Sequence, residues 1–248
     1  MTYTGFLILF TVIPVFFLLI ILRKSLSFVY VRTLLLVSVI AFLATTLWDN
    51  YAVYNGVWFF QCEKTLGVKI LHLPVEEYFF FFLQTYLTGL VQLFFIINFS
   101  KTSNNIKLFT LLPITLVLMQ LPKLPFGKMN YLLHLLVWGL FFILIQLVFG
   151  WKKIKKNIKA VLIPSMIMTL YFSLADSISI GYGIWEFDIN QTLGFRILNI
   201  PLEEILFFFM TNLLITEAMI LFLPSKFLEE KNKGNLYRKC IVKINRNI

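Results

Sequence analysis

Residues 49–82 recur at 176–209, at a constant offset of 127 without a gap, and 15 of the 34 aligned positions are identical. The shared residues include Asp49/Asp176, Gly56/Gly183, Trp58/Trp185, the Thr-Leu-Gly runs at 65–67 and 192–194, Pro74/Pro201, the Glu pairs Glu76-Glu77 and Glu203-Glu204, and the Phe triplets at 80–82 and 207–209. A chain written twice must fold as two similar halves that meet. Apolar identities alone would mean little, because 59% of the 248 residues are hydrophobic and only 14% charged. That composition belongs to a membrane protein. A Pro-x-Glu-Glu beside hydrocarbon is different, since carboxyl groups there are costly and usually functional.

A helix needs about 20 apolar residues to cross about 30 Å of hydrocarbon. Candidate spans lie at 3–22, 31–48, 75–98, 106–121, 130–150, 160–179 and 201–223, the fourth short and interrupted by Pro113. The expected fold is an all-α integral membrane protein of about seven transmembrane helices. Shifted by 127, the first three spans fall on the fifth, sixth and seventh, and the fourth has no partner. Matching spans are four crossings apart and run the same way. They form two parallel three-helix repeats about a pseudo-two-fold axis along the membrane normal, joined by a linker helix that restores the orientation. The expected units are residues 1–98 and 128–225 as the repeats, 99–127 as the linker with the fourth span, and 226–248 as a basic cytoplasmic tail. The first span has no Lys or Arg before it and no small-residue cleavage pattern, so it is expected to be retained.

The net charge of +10 follows from topology and not from nucleic-acid binding. With seven spans, 17 of the 22 basic residues fall on one side and five on the other. The positive-inside rule then puts the C-terminus in the cytoplasm and the N-terminus outside, in the cell membrane. The basic tail would meet lipid head groups. Both motif regions lie on the extracytoplasmic face, with nine of the twelve acidic residues. Cys62 and Cys240 fall on opposite sides and cannot pair. His72 and His134 have no repeat counterparts and no ligand spacing, so no metal site is expected. The stretches of about 25 residues from Asp49 to Pro74 and from Asp176 to Pro201 are too long for idle loops. They should fold over the mouth of the bundle.

Pro74 and Pro201 suit the first turn of a helix, which places Glu76 and Glu203 near its third position, where carboxylates favour the dipole. A single copy needs no further explanation than a helix start. Two copies at one membrane depth ask for more. Neighbouring helical residues point about 100° apart, so only one Glu of each pair aims at the axis. Two carboxyl groups meeting there away from water cannot both ionise cheaply, and one keeps its proton. A protonated carboxyl beside an ionised one is an acid/base arrangement. Most of the 28 Phe must be core or lipid-facing filler. Around the motifs, however, Trp58, Trp185, Phe80 and Phe207 would present aromatic faces to a cation. Such a site suits a carbocation made by protonating an alkene, with cation stabilisation mattering as much as acid strength. Asp49 and Asp176 either orient the glutamates, belong to the site, or sit plainly at the interface. Glu217 lies 14 residues beyond Glu203 on nearly the same face and has no counterpart, Leu90 taking its place; it ranks below the repeated residues.

On these residues the chain resembles the membrane-integral lycopene cyclases of the heterodimeric or fused type, which include paired bacterial subunits, fused archaeal-type proteins and the cyclase half of fungal bifunctional enzymes. The resemblance rests on Pro74-Val75-Glu76-Glu77 and Pro201-Leu202-Glu203-Glu204, each opening a span, with the preceding Asp, Gly-x-Trp and Thr-Leu-Gly elements. It implies lycopene beta-cyclase activity in carotenoid biosynthesis: a redox-neutral isomerisation in which a proton adds to the linear ψ end, the cation cyclises, and a ring proton is lost to leave a β-ionone ring. It implies Glu76, Glu77, Glu203 and Glu204 as the catalytic set and Asp49, Asp176, Trp58, Trp185, Phe80 and Phe207 as pocket or support. On that reading Glu76→Gln or Glu203→Gln abolishes cyclisation. Lycopene and the bilayer are the expected partners, together with other carotenoid-biosynthesis enzymes. No G-x-G-x-x-G is present, so no flavin or nicotinamide cofactor is expected. A fused phytoene synthase is not expected either.

A proton-coupled transporter or a cyclase for another isoprenoid also fits parallel repeats with intramembrane carboxylates. A retinal protein would need a Schiff-base lysine in the last span, and none lies between 201 and 223. A prenyltransferase would need aspartate-rich motifs, which are missing. A mere scaffold leaves the duplicated glutamates unexplained.

Overall fold

A computed structural model describes residues 1–99 and 130–229. Six helices in it are long and apolar enough to cross a membrane: α1 (Tyr3–Leu22), α2 (Phe28–Tyr54), α3 (Val75–Phe99), α4 (Asn130–Lys156), α5 (Ile158–Gly181) and α6 (Leu202–Phe222). The expected span at 106–121 lies outside the described residues, as do Cys240 and most of the tail. The chain is a nearly all-α, multi-pass membrane protein. Lipid-facing side chains such as Phe17, Leu47, Val137 and Phe149 stand on α1, α2 and α4, while α3 and α6 form the buried centre.

The centre is held across the axis by polar side chains, which need partners away from water. Gln84 Nε2 donates to Thr211 Oγ1 at 3.1 Å and Thr88 Oγ1 to Asn212 Oδ1 at 2.7 Å. Gln84 and Thr211 are repeat counterparts, so the axis passes between them. A helical proline leaves the carbonyl four residues earlier without its donor. Pro14 does this to Phe10, and the Tyr171 hydroxyl replaces the donor at 2.9 Å. Pro164 does it to Ala160, and Gln92 Nε2 replaces it, also at 2.9 Å. Before Pro14 the first helix passes through a π turn, Ile8–Val12. Thr11 Oγ1 there bonds back to the Leu7 carbonyl at 2.5 Å.

Helix α4 approaches α6 through glycines. A Cβ built on Gly150 would lie 1.9 Å from Leu221 Cδ2, and one on Gly139 would lie 2.4 Å from Met210 Cε. A methyl group can push a flexible side-chain tip aside; a branched side chain cannot. Gly150→Leu should therefore destabilise the bundle by about 1–3 kcal/mol. The check is thermal unfolding in detergent, and an unchanged midpoint would refute this packing. One turn beyond Gly150, Lys153 Nζ donates to the carbonyls of Leu221, at 2.9 Å, and Leu223, closing the C-terminus of α6.

Each long loop is folded, as expected. β1 (Trp58–Phe60) pairs antiparallel with β4 (Trp185–Phe187), in the register Trp58 to Phe187, Phe59 to Glu186 and Phe60 to Trp185. Phe59 and Glu186 are repeat counterparts and sit opposite each other, so the two-fold runs between them. An antiparallel pair has its two-fold perpendicular to the ribbon, which therefore lies flat across the axis as a lid. Behind it, β2 (Lys69–Ile70) pairs with β3 (Leu73–Pro74), and β5 (Arg196–Ile197) with β6 (Ile200–Pro201). Both hairpin tips are tied to the preceding helix: Asn50 Oδ1 accepts from His72 N at 2.9 Å, and Ser177 Oγ donates to the Leu198 carbonyl at 2.5 Å. Pro74 and Pro201 close these hairpins instead of opening the helices, which begin at Val75 and Leu202. The first Glu of each pair is thus the second helical residue, one place earlier than expected.

Candidate active site

The two glutamates of each motif go to different places. Glu76 Oε1 accepts a hydrogen bond from Leu66 N at 2.6 Å, and Glu203 Oε1 accepts one from Leu193 N at 2.5 Å. Leu66 and Leu193 are the middle residues of the Thr-Leu-Gly runs. The following glycines, Gly67 and Gly194, have φ of +75° and +82°, where a side chain would be strained. The glycine turns the chain so that the leucine N–H faces the helix start. Thr-Leu-Gly and the first Glu thus act as one fastening.

About 100° further round each helix, Glu77 and Glu204 face a chamber of about 440 Å³ beneath the β1–β4 lid. Its lining is largely matched pairs: Asp49/Asp176, Glu77/Glu204, Tyr3/Tyr131, Trp58/Trp185, Phe60/Phe187 and Phe80/Phe207, completed by Phe6 and Phe208. The Tyr3 hydroxyl donates to Glu77 Oε2 and the Tyr131 hydroxyl to Glu204 Oε2. Trp185 Nε1 donates to Asp176 Oδ1 at 2.8 Å. Oδ2 of both aspartates has no partner among the described residues. The lining contains no Lys, Arg or His. Among the described residues no cation offsets these four buried carboxyl groups, and an unpaired buried charge costs several kcal/mol. The rings are packed against one another: Tyr3 lies 5.1 Å edge-on from Trp185, Trp58 lies 5.5 Å from Tyr131, and Phe187 stacks on Tyr131 at 5.9 Å. Carboxyl groups and aromatic faces thus line one chamber, an arrangement suited to a hydrocarbon cation.

Eight of the ten residues singled out from the sequence line the chamber: Glu77, Glu204, Asp49, Asp176, Trp58, Trp185, Phe80 and Phe207. Glu76 and Glu203 stand behind it. Glu217 is buried but not in the lining; fourteen residues of helix carry it about 21 Å from Glu203. Tyr3 and Tyr131 were missed. Their separation is 128, one residue more than the repeat offset, so a comparison without gaps sets Tyr3 against Asn130. A one-residue gap between Tyr3 and Asp49 would have aligned them.

Fold and chamber define an integral membrane protein with a duplicated carboxyl site enclosed by aromatic rings. Residues 1–95 and 128–222 match the family model described as lycopene cyclase, and the chain belongs to that family. It is 31% identical over 173 residues to a bifunctional lycopene cyclase/phytoene synthase of Aspergillus niger, covering 64% of this chain and 29% of that protein. It is 30% identical over 161 residues to a lycopene beta-cyclase of Halobacterium salinarum, covering 63% of this chain and 68% of that one. The chain thus spans under a third of the fungal relative and about two thirds of the archaeal one. No solved structure matches.

Proposed function

We propose that this chain is a lycopene beta-cyclase, closing the ψ ends of lycopene into β-ionone rings by acid/base chemistry without net redox change. The observation that carries this reading is the chamber itself: four buried carboxyl groups, no basic side chain among the described residues and a wall of aromatic rings. Each closure consumes one proton at the end double bond and releases one from the ring. The site must therefore offer a carboxyl that holds a proton and another able to take one. Glu77 and Glu204 fill these roles, each positioned by its tyrosine, with Asp49 and Asp176 beside them. The cation between the two proton transfers is stabilised by the faces of Trp58, Trp185, Phe80 and Phe207. Glu76 and Glu203 act through the fold by fastening the loops that carry the lid.

The matched stretches of the family model are separated by the same 127 residues as the internal repeat. This supports residues 1–98 and 128–225 as equivalent halves, with 99–127 restoring the orientation. The distribution of basic residues supports a cell-membrane protein with its C-terminus in the cytoplasm. The test is expression in bacteria that accumulate lycopene. The expected product has unchanged mass and absorbs at shorter wavelength. Unaltered lycopene, with the protein shown to be in the membrane, would overturn the assignment.

A further inference from the structure

A second cavity lies deeper in the membrane, an apolar groove of about 600 Å³ between α2, α3, α4 and α6. At its rim Ile40 is 42% exposed, so among the described residues it opens to lipid. Its inner end adjoins the chamber on three helices at once. Thr45, Phe81 and Thr211 line the groove, and Asp49, Glu77 and Phe207 line the chamber one helical turn, about 6 Å, away. The partition is Trp48, whose ring stacks on Phe207 at 5.4 Å and reaches Trp138 of the groove at 5.2 Å and Trp58 of the chamber at 5.6 Å. Several polar side chains of the lining are turned onto the protein: Gln84 to Thr211, Thr85 to the Phe81 carbonyl, and Thr211 to the Phe207 carbonyl. Most of what faces the space is hydrocarbon; the exceptions in the lining are Thr45 and Gln146, whose Nε2 donates to the Leu214 carbonyl at 3.3 Å.

The chamber lining is largely two-fold symmetric, but the groove is not. Shifted by 127, Ala41, Ala44 and Thr45 become Met168, Tyr171 and Phe172. These larger residues fill the equivalent place: Met168 and Phe172 are fully buried, Phe172 packs on Phe80 and Phe208 at 5.7 Å, and Tyr171 is pinned to the Phe10 carbonyl. Among the described residues the groove lies on the side bearing the small residues.

We propose that this groove is the binding site for the linear part of a polyene hydrocarbon drawn from the bilayer, its end group passing Trp48 into the carboxyl chamber. The proposal rests on the cyclase reading for the reaction but not for the binding. It follows that a two-ended substrate is processed one end at a time, and must leave and re-enter reversed for the second ring.

The test copies the filled side onto the open one. Ala41→Met with Ala44→Tyr, in the full chain, should lower lycopene conversion at least about tenfold, chiefly through KM. Leu43→Phe, on the lipid face of the same helix, should leave it unchanged. A photoreactive residue in place of Phe142, which lines the groove, supplies a readout free of activity and independent of how well the double variant folds. In membranes loaded with lycopene, irradiation should give a protein adduct heavier by one C40 hydrocarbon. Adducts to phospholipid acyl chains alone, or to this chain's own residues 106–121, would overturn the groove, as would full activity in a well-inserted double variant. A lycopene adduct without ring closure by the unmodified protein would keep the groove and sink the cyclase assignment. Ring closure with no adduct and no effect of filling would do the reverse.

Discussion

Glu204→Gln is expected to leave the protein in the membrane and lower lycopene conversion by about 10²–10⁴-fold, the usual worth of a positioned acid or base. Glu77→Gln should do the same. Glutamine keeps the size of the side chain and can still accept the tyrosine hydroxyl proton, so packing survives and only the proton is lost. Both residues face the chamber, and their hydroxyl partners, Tyr131 and Tyr3, hold them there. The decisive comparison is with the neighbours. Glu76→Gln and Glu203→Gln should be far milder, because an amide oxygen can still accept from Leu66 N and Leu193 N. That departs from the expectation that Glu76→Gln or Glu203→Gln abolishes cyclisation. Pigment analysis of all four variants at matched membrane levels decides it; equal loss in all four would remove the distinction between the two glutamates.

Glu203→Ala should instead act on structure. It strands the Leu193 N–H, a buried donor, and such a loss costs about 1–3 kcal/mol. The loop from Thr192 to Pro201 then loses its tie to the start of α6. Faster hydrogen exchange at Leu193 and earlier proteolytic cleavage of this loop are the expected signs, with Glu203→Gln close to the unaltered protein. Glu76→Ala should loosen Thr65 to Pro74 in the same way. If exchange at Leu193 is equal in the Ala and Gln variants, the fastening role of Glu203 fails.

The helices and the parallel halves were readable because hydrocarbon thickness and a gap-free repeat leave few alternatives. The chamber was readable in kind because Asp49, Glu77, Trp58 and Phe80 all sit inside the repeated block. Which Glu of a pair meets the axis was not, since adjacent helical residues differ only in direction and the axis is a tertiary fact. Pro74 and Pro201 misled by one residue, because a proline closing a two-residue hairpin and a proline opening a helix read alike. Tyr3 and Tyr131 escaped because the first half holds one residue more between its tyrosine and its aspartate than the second does between Tyr131 and Asp176. A π turn such as Ile8–Val12 accommodates one additional residue within a helix.

The two proline repairs bind the halves in an unexpected way. Pro14 belongs to the first half, and the hydroxyl that mends its helix, on Tyr171, belongs to the second. Pro164 belongs to the second half, and its mending amide, on Gln92, belongs to the first. Neither proline has a proline counterpart in the other repeat. Cut apart, each half would carry a broken helix into the lipid with no donor of its own to close it. Two separately made fragments should therefore survive only when produced together, and two copies of either one should not substitute for the pair.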